Sequence, residues 1–292
     1  AQNTATPVLI LGESGTGKEL VAREVHSLSG AKGPFVDLNC ASLNENLLES
    51  ELFGHEKGAF TDARQAKQGL FEVAAGGSLF FDELTEMPPS VQAKLLRVLD
   101  SGAFRRVGGV REVRSDARVM AATNRNVERA VAEGKFREDL FYRLSVFPVR
   151  IPPLRDRPDD VAALSQYFLA TLGERLGKPH VGLSGTALER LREYAWPGNV
   201  RELRNVIERA LILCDGAEVE ARHLPAEVRA AEALRPRARI ISLRPLDAVV
   251  EEHIARVVRA ADGNHSRAAR ILGISRSTLL ARLKKSRQTP DG

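Results

Sequence analysis

Short apolar runs alternate with amphipathic segments along the first half of the chain. The apolar runs predict β-strands at 8–11, 35–38, 78–81, 117–122 and 146–150. The segments between them carry apolar residues three or four positions apart and predict helices at 18–28, 44–51, 88–100 and 126–132. Strands that alternate with helices form parallel sheets covered on both faces. We therefore predict an α/β fold with a parallel sheet core for residues 1–152.

The pattern changes after residue 152. Apolar residues recur at helical spacing in 159–173, 184–194 and 199–213, and no convincing strand occurs between 159 and 228. Residues 153–228 are therefore predicted to form a small α-helical domain. Arg, Ala and Pro are frequent in residues 229–244, which is typical of a linker. Helical spacing returns in 245–292, interrupted at 262–264 and at Gly273, and predicts a third, all-α domain.

Composition restricts the class of protein and locates its charge. The chain of 292 residues is 43% apolar and 28% charged, as in globular proteins, and has no membrane-length apolar run or signal-peptide pattern. Its two cysteines, Cys40 and Cys214, indicate reduced core thiols in a cytoplasmic protein that needs no membrane. Residues 235–292 carry 13 Lys and Arg against 5 Asp and Glu, whereas residues 1–234 carry 30 against 33. The basic C-terminal domain therefore favours a polyanion partner.

The most specific motif follows the first predicted strand. Residues 12–19 read Gly12-Glu13-Ser14-Gly15-Thr16-Gly17-Lys18-Glu19. The backbone N–H groups of such a loop and the N-terminus of the next helix bind phosphates, and Lys18 can reach the β- and γ-phosphates. The motif predicts a nucleoside triphosphate site, against the weaker alternative of a glycine turn with a surface lysine. Glu19 departs from the general motif, in which Ser or Thr offers a hydroxyl to Mg²⁺.

Polar residues at the ends of two other predicted strands extend this hypothesis. Asp82 and Glu83 follow an apolar run, where Asp82 would hold Mg²⁺ and Glu83 would orient the attacking water. Asn124 ends another apolar run and could sense the γ-phosphate. Taken alone, the two carboxylates also fit a solvated strand end, and Asn124 also fits a turn.

Arg137 and Arg143 lie six residues apart in a helical segment. An arginine supplied by a neighbouring subunit accelerates phosphoryl transfer by stabilising the charge of the transition state. Taken alone, the segment favours two solvated arginines beside Glu138 and Asp139.

Residues 265–286 carry the pattern of two short helices joined at Gly273. We expect Ser266 and Ser275 to cap these helices. The side chains expected to face inward are Ala268, Ala269, Leu272, Leu279, Leu280 and Leu283. This spacing predicts a helix-turn-helix, with a structural hairpin as the alternative. The predicted DNA-binding residues are Arg276, Ser277 and Thr278 for base edges, together with Arg282, Lys284 and Lys285, the two lysines at phosphates.

Taken together, these motifs resemble one family. Residues 12–19, 51–61, 77–84, 121–124, 136–144 and 196–203 carry them in this order, the last reading Trp-Pro-Gly-Asn-Val-Arg-Glu-Leu. The combination closely resembles the bacterial enhancer-binding proteins of the nitrogen-regulator type, the AAA+ activators of sigma-54 RNA polymerase. Glu19 fits this family, in which Glu commonly ends the phosphate loop. The tail resembles Fis-type domains, which dimerise through the preceding helix, here 246–261.

The resemblance implies an AAA+ ATPase that uses ATP and Mg²⁺ and assembles into a hexameric or heptameric ring. It makes Arg137 and Arg143 candidate arginine fingers acting in trans, and Arg201 the lid arginine that contacts the nucleotide in cis. Asn39 resembles the residue that holds Glu83 until ATP is in place. The implied partners are upstream enhancer DNA and the sigma-54 RNA polymerase holoenzyme, which ATP hydrolysis remodels to open promoters.

The loop expected to contact sigma-54 departs from the family at one position. The signature Gly-Ala-Phe-Thr-Gly-Ala here reads Gly58-Ala59-Phe60-Thr61-Asp62-Ala63. Phe60 and Thr61 match the residues that contact sigma-54, and a second loop at 100–112 is expected to move with the first. Asp62 tolerates turn geometry but adds negative charge. Two hypotheses follow: a working activator, or a DNA-binding regulator that keeps the ATPase fold without engaging sigma-54.

A DNA-processing AAA+ motor is a third candidate, but it does not account for residues 58–63. The first strand begins seven residues into the chain, where the family has a preceding helix that covers the adenine. This indicates a fragment of a longer protein, with weaker adenine binding. The input signal would come from a domain upstream of Ala1, and a receiver there would make the protein part of a two-component system.

Overall fold

The computed structural model describes residues 6–61 and 63–230 and, further on, residues 250, 253–254, 257–258, 261 and 264–286, of which 284–286 are described for backbone only. Asp62, most of the predicted linker and much of the predicted helix 246–261 therefore lie outside the described residues. The chain divides into two compact units, residues 1–234 and 235–292.

A parallel sheet forms the centre of the first unit, as predicted. Its strands are β1 (Val8–Leu11), β2 (Phe35–Asn39), β3 (Ser78–Asp82), β6 (Arg118–Thr123) and β7 (Phe147–Arg150). They lie in the order β2-β3-β6-β1-β7, and all four pairings are parallel. The carboxyl ends of these strands therefore meet at one edge of the sheet, which is where ligands bind in open α/β folds.

Helices cover both faces of the sheet because its side chains alternate between two apolar layers. Leu9 packs in one layer with Phe81 and the residues of α2 and α4, while Ile10 packs in the other with Phe80 and α1. The helices are α1 (Lys18–Ser29), α2 (Glu45–Phe53), α3 (Leu70–Val73), α4 (Pro89–Ser101), α5 (Val127–Ala132) and α6 (Glu138–Leu144). The predicted helices at 18–28, 44–51, 88–100 and 126–132 are confirmed. The single turn of α3 was too short to predict.

A small hairpin follows α4. Its strands β4 (Ala103–Arg105) and β5 (Glu112–Arg114) pair antiparallel. With three residues each, they show no alternation that the sequence could reveal, and the sequence predicted only a loop at 100–112.

In the described part of the rest of the first unit, the main elements are four helices and a minimal strand pair. The helices are α7 (Pro158–Arg175), α8 (Gly185–Glu193), α9 (Asn199–Leu213) and α10 (Ala226–Arg229), and a short 3₁₀ turn, Leu154–Asp156, precedes them. The prediction of no strand between 159 and 228 is wrong, because β8 (Gly182–Leu183) pairs in parallel with β9 (Glu218–Val219). Trp196 is fully buried in the core of this helical layer, and its Nε1 donates to the Leu191 carbonyl at 2.8 Å.

Both cysteines are free and buried, which confirms their role as small core residues. Burial raises the pKa of Cys40 to about 12, so its thiol is not a nucleophile at neutral pH.

The second unit contains α11 (His265–Ile271) and α12 (Arg276–Ser286), joined through Gly273 at φ +65°. Two details differ from the prediction. Asn264, not Ser266, caps α11, because its Oδ1 accepts from the backbone N–H groups of Ser266 and Arg267, both at 3.1 Å. Leu280 is exposed, whereas Leu279 alone on α12 is fully buried among the described side chains.

Candidate functional site

The loop between β1 and α1 has the shape that its glycines allow. Gly15 and Gly17 adopt φ values of +78° and +97°, which disfavour residues with a side chain. A Cβ atom at Gly15 would also lie 2.3 Å from the carbonyl oxygen of Gly198. Thr16 closes the loop, since its Oγ1 donates to the Glu13 carbonyl at 2.8 Å. The loop therefore presents its backbone at the N-terminus of α1, as a phosphate cradle requires.

Lys18 is the first residue of α1 and lies 7% exposed beneath this loop. Its Nζ donates to the carbonyl oxygens of Gly12 at 3.0 Å and Glu13 at 3.2 Å. Burial lowers the pKa of Lys18, while the nearby carboxylates of Glu83 and Asp82 act in the opposite direction. The ammonium group thus sits between the loop and the two carboxylates.

Asp82 ends β3, and Glu83 follows in a left-handed conformation at φ +52°. Asp82 Oδ1 accepts the backbone N–H of Glu83 at 3.0 Å. Asn39 is the register partner of Asp82 on β2, so the topology brings all three residues to one edge of the sheet. The Asn39 side chain accepts from the backbone N–H of Ala41 at 2.9 Å, and the structure gives it no hydrogen bond to Glu83.

One cleft brings most of the predicted nucleotide residues together. It is lined by Ser14, Gly15, Gly17, Lys18, Glu19, Asn39, Asp82, Glu83 and Arg201, and also by Leu20, Phe168, Val200 and Arg204. Phe168 and Arg204 were not predicted. Arg204 lies three residues after Arg201 on α9, so the helical period places it on the same face. Helical spacing could have revealed it, whereas Phe168 comes from α7 and needed the fold.

Glu19 lies at the rim of the cleft and pairs with Arg23 one turn later, with Nε and Oε1 2.9 Å apart. Its carboxylate is thereby held along the exposed face of α1, and it does not replace the hydroxyl of the general motif.

Three predicted catalytic residues lie outside the cleft of their own chain. Arg137 forms a two-pronged pair with Asp139, at 3.0 and 2.6 Å. Arg143 binds Asp100 at 3.1 Å and the Leu99 carbonyl at 2.9 Å.

Asn124, the third of these residues, follows β6 and is exposed. None of the three lines the nucleotide cleft.

The predicted contact loop is closed by its own backbone. The Gly58 N–H donates to the Ala63 carbonyl at 2.8 Å, and the Ala63 N–H donates to the Phe60 carbonyl at 2.9 Å. Phe60 is 43% exposed, and its ring meets the His55 ring edge-on with centroids 4.9 Å apart. Ala63 is 4% exposed, whereas Gly58, Phe60 and Thr61 are exposed.

The second predicted loop touches the first. Arg106 binds both carboxylate oxygens of Glu72, at 2.7 and 3.0 Å, and reaches Glu56 at 3.2 Å. The Arg106 hydrogen bonds lower the pKa of Glu72. A Cβ atom at Gly108 would lie 2.8 Å from that of Ala59. Contact between the loops is therefore direct, and their joint movement stays a prediction.

The second unit presents a polar face at the start of α12. Arg276, Ser277, Thr278 and Arg282 are exposed there. Ser275 caps the helix as predicted, since its Oγ accepts the N–H of Thr278 at 3.1 Å. Lys284 and Lys285 belong to α12, and their side chains lie outside the described part of the chain.

The described residues of the predicted helix 246–261 pack against α11 and α12 within the same chain. Ile254 is buried against Ala268, Ala269 and Leu279, and Val250, Val257 and Val258 are partly buried there. Leu246 and Val249 of the predicted helix lie outside the described residues, and dimerisation through this helix stays a prediction.

Among the described residues, no three His, Cys, Asp or Glu side chains form a metal cage. No described helix has the length and apolarity needed to span a membrane.

Models of three protein families match successive parts of the chain. The model of the sigma-54 interaction domain matches residues 1–150. The chain belongs to the sigma-54-dependent enhancer-binding activators. The AAA+ ATPase lid domain matches residues 155–240, and the bacterial regulatory proteins of the Fis family match residues 250–285. The resemblance inferred from the sequence motifs and the predicted AAA+ fold class are thus confirmed.

Relatives of this activator family align along almost the whole chain. The nitrogen fixation protein VnfA of Azotobacter vinelandii is 49% identical over 97% of this chain and 54% of its own length. The regulatory protein AtoC of Escherichia coli K12 is 47% identical over 95% and 62%. The crystal structure of NtrX from Brucella abortus in complex with ATP matches with a TM-score of 0.70 at 39% identity, over 97% of this chain and 64% of that one. The chain therefore spans between half and two thirds of these relatives' lengths.

Proposed function

We propose that this activator binds and hydrolyses ATP in the cleft around Lys18 and uses the energy to remodel sigma-54 RNA polymerase at promoters. The observation that carries the proposal is the convergence of the phosphate loop, the carboxylates of Asp82 and Glu83 and the lid arginine Arg201 on one cleft. The solved relative NtrX, crystallised with ATP, supports a nucleotide in this fold.

Each residue of the cleft has a chemical part in this proposal. The loop 12–17 and Lys18 bind the phosphates, and Arg201 contacts them from α9. Asp82 lines the cleft beside Glu83 and would hold Mg²⁺, which would supply neutralisation of the phosphate charge. A single carboxylate fits this ion, since proteins bind Mg²⁺ through one or two carboxylates.

Glu83 is the proposed base that orients the attacking water. Asn39 is proposed to hold Glu83 until ATP is in place, and Asn124 is proposed to sense the γ-phosphate from the end of β6. In the present structure the Asn39 side chain accepts from the Ala41 N–H and makes no hydrogen bond to Glu83, so the proposed hold requires this side chain to turn.

A second subunit completes the proposed site. Arg137 and Arg143 lie away from the cleft of their own chain, as residues acting in trans must. Both ion pairs are exposed, and exposed pairs stabilise by only about 0–1 kcal/mol. Assembly into a hexameric or heptameric ring could therefore redirect either arginine at little cost.

The two proposed partners would bind different units of the chain. Phe60 and Thr61 would contact sigma-54 at the accessible loop tip, and α12 would read upstream enhancer DNA. A protein with these partners acts in the cytoplasm. A two-component input is compatible with the proposal and depends on chain beyond this sequence. The match of the sigma-54 interaction domain to residues 1–150, which include 58–63, does not favour the non-engaging alternative.

The test is nucleotide-dependent capture of sigma-54 by the full chain. We expect a complex in gel filtration with ADP and aluminium fluoride, a mimic of the transferring phosphoryl group, and none with ADP alone. Phe60→Ala should lose the complex and keep ATP hydrolysis, whereas Ile212→Ala, which also removes an exposed apolar side chain, should keep both. Capture only after Asp62→Gly would instead support the non-engaging alternative.

A further inference from the structure

Three segments meet behind the phosphate loop at one buried side chain. Asn199, the first residue of α9, is fully buried and adopts φ +52°. Its Oδ1 accepts the backbone N–H of Leu154 at 2.8 Å, and its Nδ2 donates to the Ser14 carbonyl at 3.0 Å and to Glu13 Oε2 at 3.2 Å. One amide thus joins the phosphate loop, the 3₁₀ turn Leu154–Asp156 and the lid helix.

The same Glu13 carboxylate binds Arg155 of the 3₁₀ turn. The two terminal nitrogens of Arg155 reach its two oxygens at 2.8 and 2.5 Å, in the fork geometry that favours arginine over lysine. The Arg155 and Asn199 hydrogen bonds lower the pKa of Glu13 from 4.5 to about 2. The carboxylate therefore stays ionised, and its charge is matched, at any physiological pH.

The lid helix also begins directly on the phosphate loop. The N–H groups of Val200 and Arg201 share the Gly15 carbonyl, at 2.9 and 3.2 Å. These N–H groups belong to the first turn of α9, which has no partner for them within the helix. The position of Arg201 over the cleft therefore depends on the same contacts that hold Gly15.

Glu13, Arg155 and Asn199 do not line the cleft themselves. Their effect on a bound nucleotide must act through the loop backbone and through Arg201. A free carboxylate at Glu13 would moreover leave an unmatched negative charge on a loop that receives phosphates, and two like charges repel.

We propose that Glu13, Arg155 and Asn199 form a clasp that locks the phosphate loop to the lid, and that these three are positioning residues for ATP binding. The clasp rests on the proposed ATP site. It adds two residues that had no predicted role, Arg155 and Asn199, and gives Glu13 of the phosphate loop a positioning role. The clasp requires that movement of the lid and the shape of the phosphate loop change together. Asn199 belongs to the lid helix, so the lid cannot move away without breaking the hydrogen bonds of Asn199 to Glu13 and Ser14.

The test compares Glu13→Gln, Arg155→Met and the double variant in the full chain. Two quantities are measured: the Kd of a fluorescent ATP analogue, and hydrogen exchange of the peptides spanning 12–17 and 196–203 without nucleotide. Arg222→Met is the matched control, since it removes an arginine from an exposed ion pair elsewhere in the lid. We expect Arg155→Met to raise Kd about fivefold and to speed exchange in both peptides, with the control unchanged.

The double variant identifies the pair. The Kd of the double variant should lie within about twofold of the Kd of Glu13→Gln, because Arg155 has already lost its carboxylate partner in Glu13→Gln. Arg155→Lys should fall between wild type and Arg155→Met. Effects of the two single variants that multiply, or exchange rates equal to wild type, would overturn the clasp. A wild-type chain that fails to bind ATP would overturn the proposed function, and the exchange rates without nucleotide would still decide the clasp.

Discussion

At the residue scale, the backbone of Glu83 is the unusual feature of the cleft. A non-glycine residue in the left-handed region costs about 1–3 kcal/mol and persists where the surroundings enforce it. Here the Asp82 carboxylate holds the Glu83 N–H, and a 3₁₀ turn, Leu84–Glu86, follows immediately. Glu83 lines the cleft, as the role proposed for it requires.

The first prediction concerns this carboxylate. Glu83→Gln keeps the shape of the side chain but removes its basicity, so we expect kcat for ATP hydrolysis to fall at least about 100-fold. ATP binding should persist, because Lys18 and the loop are unchanged. Hydrolysis and nucleotide affinity are measured side by side, with Glu220→Gln on the exposed lid surface as control. Turnover near the wild-type rate would refute the role assigned to Glu83.

At the scale of elements, the periodicity of apolar residues predicted the longer helices and strands and did not predict the strands of two or three residues. The five strands of the main sheet and the helices α7 and α9 carry enough turns or alternations to be read from the sequence. The strands of the pairs β4–β5 and β8–β9 have only two or three residues each, too few to show an alternation in the sequence.

The site divides in the same way. Lys18, Asp82 and Glu83 belong to local motifs and were predicted. Phe168, and the link from Glu13 to Arg155 and Asn199, join segments more than 140 residues apart. No local pattern encodes such a contact, so only the fold could reveal it.

The helix cap of α11 gives a prediction at this scale. Asn264 and Ser266 are both good capping residues, and only Asn264 accepts from two N–H groups of the first turn. We expect Asn264→Ala to destabilise α11 by about 1 kcal/mol, which speeds amide exchange in this helix about fivefold. Ser266→Ala is the matched control. Equal effects of the two variants, or a larger effect at Ser266, would contradict the cap seen in the structure.

At the scale of the whole molecule, the two candidate arginine fingers, Arg137 and Arg143, would act only in the nucleotide site of a neighbouring subunit. Arg143 lies 3.1 Å from Asp100 of its own chain and away from its own cleft. We expect Arg143→Ala to bind ATP normally and to lose hydrolysis by about 1,000-fold, as for other arginine fingers.

Mixing variants shows where Arg143 acts. Added Glu83→Gln subunits retain Arg143 and should restore part of the hydrolysis, because they complete the sites of Arg143→Ala subunits. The double variant Glu83→Gln with Arg143→Ala should restore none. Loss of ATP binding in Arg143→Ala, or no recovery on mixing, would place this arginine in its own chain's chemistry.

The central claim is that ATP hydrolysis in this chain opens promoters through sigma-54. Its direct test is open-complex formation by purified sigma-54 holoenzyme on a promoter that carries the binding site of this protein, detected by reactivity of unpaired bases. We predict open complexes with wild-type protein and ATP, and none with ADP or with Glu83→Gln. Absence of open complexes with wild-type protein and ATP, under conditions in which it hydrolyses ATP, would contradict the account.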